Sequence, residues 1–152
     1  MERLICVDPG VTSGVAIFNK KTGKILSLYD EMGIGWIKDL PRLGCKDTII
    51  YEDYFLGNPA FVPDGIEVIG ALRFYAYTRG CGITKQQATV PHFIKARFGL
   101  DNLKLGVSIH AKEALYHGLY FLRKDHDALN IIKEYIHEQD GKGNRKSNIQ
   151  TL

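Results

Sequence analysis

The stretch from Leu4 to Phe18, LICVDPGVTSGVAIF, constrains this chain more than any other. Leu4, Ile5, Cys6 and Val7 form an apolar run of strand length, which reads as a buried strand. Asp8 follows at its end, and Pro9 and Gly10 break the ladder, because Pro has no N–H to donate and Gly admits unusual backbone angles. A small polar turn then leads into a second apolar run at Val15. A carboxylate at the end of a buried strand is costly unless a charged group meets it. The alternative is a turn aspartate that caps local N–H groups. The rest of the chain has to decide between the two.

At 152 residues the chain is sized for one domain with a full hydrophobic core. No apolar run approaches the roughly 20 residues of a membrane span. Cys6, Cys45 and Cys81 are far apart and odd in number, so neither a disulfide framework nor a Cys-x-x-Cys zinc site is indicated. The N-terminus enters a strand without a secretory apolar region, and a reduced, cytoplasmic protein is expected. Charge is unevenly placed. Residues 1–80 hold 9 Lys/Arg and 10 Asp/Glu, whereas residues 81–152 hold 11 and 7. Between Cys81 and Lys124 the ratio is 7 basic to 2 acidic, a bias that suits a polyanion such as DNA or RNA.

Val15 to Phe18 and Ile25 to Tyr29 read as second and third strands around a Gly-containing loop, giving an antiparallel meander. Residues 32–43 suggest a short interrupted helix, and Asp47 to Asp53 a fourth strand that ends in acid. After an aromatic, Gly- and Pro-rich loop over 54–65, a helix is expected from Ile66 to Thr78. Asp64 and Glu67 are placed as its capping box, and Ile66, Ile69, Leu72 and Ala76 as its apolar stripe. A fifth strand is expected over Gln86 to Val90, stopped by Pro91, and a short basic helix over His92 to Phe98. The helix from Ile109 to Arg123 sets Ala111, Leu115, Gly118 and Leu122 against the sheet, with His110, Glu113 and His117 on another face. A last helix runs from Ala128 to Gln139 with Gly141 as its stop. Residues 1–140 thus make one domain, and 141–152, poor in apolar residues, a loose tail.

This order is α/β, with a mixed five-stranded sheet and helices on both faces. With strand 4 parallel to a central strand 1, Asp8 and Glu52 emerge at one edge, at carboxyl strand ends where open α/β sheets place their sites. His110 and Glu113 open a helix that can lie across that edge. Asp53, next to Glu52, alternates to the other face and is a reserve candidate only. Clustered acids are tolerated when a divalent cation sits among them, and oxygen ligands favour Mg²⁺ or Mn²⁺ over zinc. Two such ions about 4 Å apart activate water and stabilise a leaving oxygen in phosphoryl chemistry.

These residues resemble the RuvC-type Holliday-junction resolvases, with their ribonuclease H-like fold. The resemblance lies in Val7-Asp8-Pro9-Gly10 with its small-residue turn, in Ile49-Ile50-Tyr51-Glu52, and in His110-Ala111-Lys112-Glu113-Ala114-Leu115. It covers roughly residues 3–124 and looks closer to the short phage-encoded members, which would place the protein in a host-cell cytoplasm. Glu113 departs from the family's usual Asp by one methylene. The resemblance implies a metal-dependent endonuclease that nicks four-way DNA junctions as a homodimer. Asp8, Glu52, His110 and Glu113 would serve as catalytic and metal-binding residues for Mg²⁺ or Mn²⁺, with two ions per site. It also implies an aromatic wedge shortly after the strand-4 Glu, a place held by Phe55. Lys85, Lys95, Arg97 and Lys104 are candidates to hold DNA phosphates. Other readings are a flap or branched-DNA or RNA nuclease of the same fold, a catalytically inactive nucleic-acid-binding module, and a sugar-kinase or actin-like ATPase. That last fold needs two such domains and has no room here.

Overall fold

The structure is a computed structural model describing the backbone of residues 1–53, 63–100 and 104–147, with side chains up to residue 140. Its centre is β1 (Arg3–Asp8), whose residues from Leu4 onward are buried. β2 (Thr12–Asn19) pairs with it antiparallel, and β3 (Ile25–Met32) pairs antiparallel with β2. β4 (Thr48–Asp53) lies parallel on the other side of β1, and β5 (Gly82–Gln87) lies parallel to β4. The sheet order is therefore β3-β2-β1-β4-β5, the expected meander plus parallel strands.

Alternation along the strands splits the core in two. Leu4, Cys6, Ala16, Phe18 and Ile50 face α2 (Val90–Phe98), α3 (Ile109–Leu122) and α4 (Ala128–Ser147). Ile5, Val7, Val15, Ile17, Ile49 and Tyr51 face α1 (Pro63–Arg79) and a 3₁₀ helix over Gly35–Asp39. A buried acid braces this frame far from the site. Asp47 accepts from the backbone N–H of Arg3 at 2.6 Å and of Gly44 at 2.8 Å, tying the start of β4 to β1. None of the described helices is long and apolar enough to cross a membrane.

Several element bounds differ from expectation for identifiable reasons. The fifth strand occupies 82–87 instead of 86–90. It is an edge strand with a mostly exposed, polar sequence, so it carries no apolar alternation to read. Val90 belongs to α2, and Pro91 sits in that helix's first turn, where its missing N–H costs nothing. α1 begins at Pro63, so Asp64 lies inside the first turn, favourable to the helix dipole, and is not a cap. Its buried face is Gly65, Val68, Leu72, Tyr75 and Ala76, rotated from the expected stripe, with Ile66 exposed and Ile69 only partly buried. α4 continues past Gly141 to Ser147. Glycine disfavours a helix interior by only about 1 kcal/mol.

Candidate active site

The site forms where β1 and β4 end beneath the first turns of α3. Asp8 shares a sheet face with Cys6, and Glu52 shares it with Ile50, so both carboxylates point toward α3. The turn after Asp8 is closed by Ser13. Its hydroxyl accepts from the N–H of Gly10 at 3.4 Å and donates to the Gly10 carbonyl at 3.3 Å. Gly14, paired with Asp8 across β1–β2, leaves room for the helix. A Cβ there would stand 1.9 Å from the backbone oxygen of His110. Ser108 caps α3, its Oγ accepting from the N–H of Ala111 at 3.2 Å and donating to Asp30 Oδ1 at 2.6 Å. The helix start is thus anchored to β3, with His110 in its first turn and Glu113 at the start of the next.

Each acid meets a different basic group. His110 Nδ1 lies 3.0 Å from Asp8 Oδ2, and Lys95 Nζ lies 2.8 Å from Glu113 Oε1 while facing the Tyr116 ring at 5.4 Å. His117 Nε2 lies 3.0 Å from Glu52 Oε2. Asp8 is pushed from its ordinary 3.8 up to about 6. Burial is the main cause. The hydrogen bond from His110 opposes it, and the neighbouring charges of Glu52 and Glu113 add to it. Asp8 on β1 therefore feels the charges of Glu52 on β4 and Glu113 on α3.

No three His, Cys, Asp or Glu side chains among the described residues stand close enough to enclose a metal ion in this conformation. The donor set still fits a hard divalent cation in kind. Mutual repulsion and burial raise Asp8, and a cation between the acids removes that penalty. Lys95 meets one oxygen of Glu113, Oε1.

The remaining sequence candidates fall in different places. Lys95 joins the cluster, and Arg97, two residues on, is exposed on the same helix. Lys104 is exposed after α2. Lys85 is level with Tyr51 on the opposite face, where it pairs with Asp53 at 2.7 Å. Asp53 is thus on the face that alternation assigns it, away from Asp8. Phe55 lies outside the described residues.

Two residues at the site were not among the candidates drawn from the sequence, although His117 was placed on the face of His110 and Glu113. His117 is fully buried, and its Nδ1 lies 2.8 Å from Gln86 Oε1. Gln86 is the register partner of Glu52 across β4–β5. The signal for His117 was its spacing, four residues after Glu113 and seven after His110 along one helical face. Gln86 became visible only once β5 was placed beside β4.

No family model matches this chain, and no curated protein matches it in sequence. Solved structures do share its architecture. Thermus thermophilus RuvC in complex with a Holliday junction substrate superposes with a TM-score of 0.55 at 12% identity, over 82% of this chain and 96% of that one. A second Thermus thermophilus RuvC structure gives 0.55 at 13% identity, over 80% and 95%. Fowlpox virus resolvase, in complex with Holliday junction DNA, gives 0.53 at 13% identity, over 80% of this chain and 99% of that one. At such identities the likeness concerns the fold, and the fold of this chain is the ribonuclease H-like α/β fold of the RuvC-type resolvases.

Proposed function

We propose that this protein is a divalent-metal-dependent endonuclease that resolves four-way DNA junctions by phosphodiester hydrolysis, acting as a homodimer. The observation that carries the reading is the meeting of Asp8, Glu52, His110 and Glu113 at one sheet edge. The fold is one whose solved examples include two resolvases holding Holliday junction DNA.

In this reading Asp8, Glu52 and Glu113 hold Mg²⁺ or Mn²⁺, with His110 as a further ligand or as the group that orients the attacking water. The ions supply a metal-activated water and neutralise the leaving oxygen. Asp8 presents a carboxylate from a rigid central strand. His110 holds that carboxylate through Nδ1 and, being 45% exposed at its side chain, has a free edge toward an incoming phosphate. Lys95 neutralises Glu113 in the free protein, and it would be within reach of a DNA phosphate were Glu113 to hold a metal ion. Arg97 extends the basic surface along α2 and binds phosphate without reading sequence.

Purified protein should cut a synthetic four-way junction with Mg²⁺ or Mn²⁺ in preference to a flap, linear duplex or single strand. Asp8→Asn should reduce cleavage below detection yet bind the junction as well or better, because one repulsive carboxylate is gone from beside the phosphates. Normal cleavage by Asp8→Asn would sink the assignment. Preferential cutting of the flap would move it to a different branched substrate. The sedimentation behaviour of the free protein and of its junction complex tests the homodimer.

A further inference from the structure

The three carboxylates are not held alike. Asp8 is held by a half-exposed histidine and Glu113 by a partly buried lysine. Glu52 is held by His117, which is fully buried. His117 stands over the sheet from α3 and bridges two neighbouring strands, touching Glu52 on β4 and its register partner Gln86 on β5. Both ring nitrogens face oxygen acceptors as placed, so the imidazole serves both only when each nitrogen carries a proton. Turning the Gln86 amide end for end, an exchange invisible in heavy-atom shape, supplies an N–H to Nδ1 and leaves the neutral ring donating from Nε2 to Glu52. In either arrangement the chain Gln86–His117–Glu52, buried at its centre, ends in an N–H directed at one oxygen of Glu52 and, among the described residues, leaves the other oxygen available.

We propose that His117 and Gln86 are positioning residues that fix the Glu52 carboxylate in a single orientation for metal binding. The inference rests on the reading of Glu52 as a metal ligand. Glutamate has three rotatable side-chain bonds, and an edge position at a strand end restrains none of them strongly. An anchored hydrogen bond from a ring locked in the core removes that freedom. Hydrogen-bonded partners behind a metal ligand typically change metal affinity or activity by 10- to 100-fold when removed.

The test is Mn²⁺ binding to the intact protein by calorimetry, without DNA, together with junction cleavage at varied Mn²⁺. His117→Leu keeps bulk but removes both hydrogen bonds. It should weaken Mn²⁺ binding about 10- to 100-fold. It should also lower kcat without changing KM for the junction, and regain rate as Mn²⁺ is raised. His117→Gln places an amide N–H near the position of Nε2 and should bind Mn²⁺ within a few-fold of wild type. Gln86→Leu should lose several-fold. A folded His117→Leu protein that binds Mn²⁺ like wild type would overturn the inference. Should leucine at 117 prevent folding, Gln86→Leu decides alone, since unchanged affinity there overturns it equally. Glu52→Gln separates this inference from the function on which it rests. If Glu52→Gln also binds Mn²⁺ normally, Glu52 is no ligand and both readings fall. If it loses the ion while His117→Leu does not, only the positioning role falls.

Discussion

α1 and α3 cover opposite faces of one sheet, and each has a glycine in mid-helix, yet the two glycines do opposite things. In α3, a Cβ on Gly118 would lie 2.1 Å from the ring of Phe18, itself buried in the core. In α1, a Cβ on Gly70 would meet nothing within 4 Å. α3 buries eight of its fourteen residues and lies hard against β2 and against β1, the strand that ends in Asp8. α1 buries five of seventeen and leaves Phe74 70% and Tyr77 86% exposed. The helix that carries His110, Glu113 and His117 is the one the sheet holds at fixed distance. The helix on the other face seals a core and carries none of the site. Close packing in this fold is concentrated on the face that carries the carboxylates.

The largest effect should come from breaking that fixed distance. Gly14→Ala sets a methyl group into the backbone of His110, and neither backbone can yield locally. Overpacking of this kind costs about 1–3 kcal/mol and sometimes more, and this contact belongs at the upper end. Urea unfolding should show the loss. Cleavage of a junction should fall further than stability alone explains, because the first turn of α3 is displaced from Asp8. A variant with wild-type rate and midpoint would show that α3 does not set the site.

Next in size is the charge at Asp8. Its folded pKa of about 6 lies above the ordinary 3.8, so the folded state retains the proton over a range where the unfolded chain has lost it. Stability of the metal-free protein should then fall as pH rises from about 4 to about 6 and stay level above. The shift corresponds to roughly 3 kcal/mol. Asp8→Asn removes the liability, so it should be more stable than wild type at pH 8 by up to that amount and equal to it near pH 4. Paired unfolding curves at the two pH values check the sign. A variant less stable than wild type at pH 8 would mean that the His110 bond outweighs burial.

A smaller effect is expected from Gly118→Ala. Here the obstacle is a side chain, Phe18, which can shift only by repacking its neighbours, for about 1–3 kcal/mol. Lys95 and Arg97 lie on α2, which packs beside α3. Replacing both by Ala should leave stability nearly unchanged, weaken binding to every DNA form and flatten its salt dependence, since fewer counterions are released. An unchanged salt slope would return both residues to ordinary surface.

This contrast also explains what could be read from the chain. β1 announced itself by a pure apolar run closed by Asp-Pro-Gly, and α3 by a clean division between small sheet-facing residues and polar ones. The placing of Asp8, His110 and Glu113 at one sheet edge was legible for that reason, and that of Glu52 from the acid that closes β4. α1 was not, because Ile66, Val68, Ile69, Ala71, Leu72, Phe74, Tyr75, Ala76 and Tyr77 surround the helix and give its period no single face. Only the sheet chooses Val68 and Tyr75 over Ile66. β5 failed differently, as a polar edge strand whose identity comes from pairing with β4. With β5 misplaced, Gln86 had no neighbour, and the partner that links His117 to the site stayed hidden.

The smallest effect, and the one that isolates the difference between the helices, is Gly70→Ala. Gly70 lies in the interior of α1 with open space around it and no positive φ to preserve. Alanine there loses less backbone entropy on folding and adds no clash, so the protein should gain about 0.5–1 kcal/mol. Because α1 is separated from Asp8 and Glu52 by the sheet, junction cleavage by the variant should match wild type at every Mn²⁺ concentration. The same Gly→Ala change would thus stabilise one helix and destabilise the other, with activity following only α3. A Gly70→Ala protein that unfolds more easily, or cuts more slowly while folded, would show that this face of α1 is covered in the working protein and that the closely packed part of the molecule extends beyond α3.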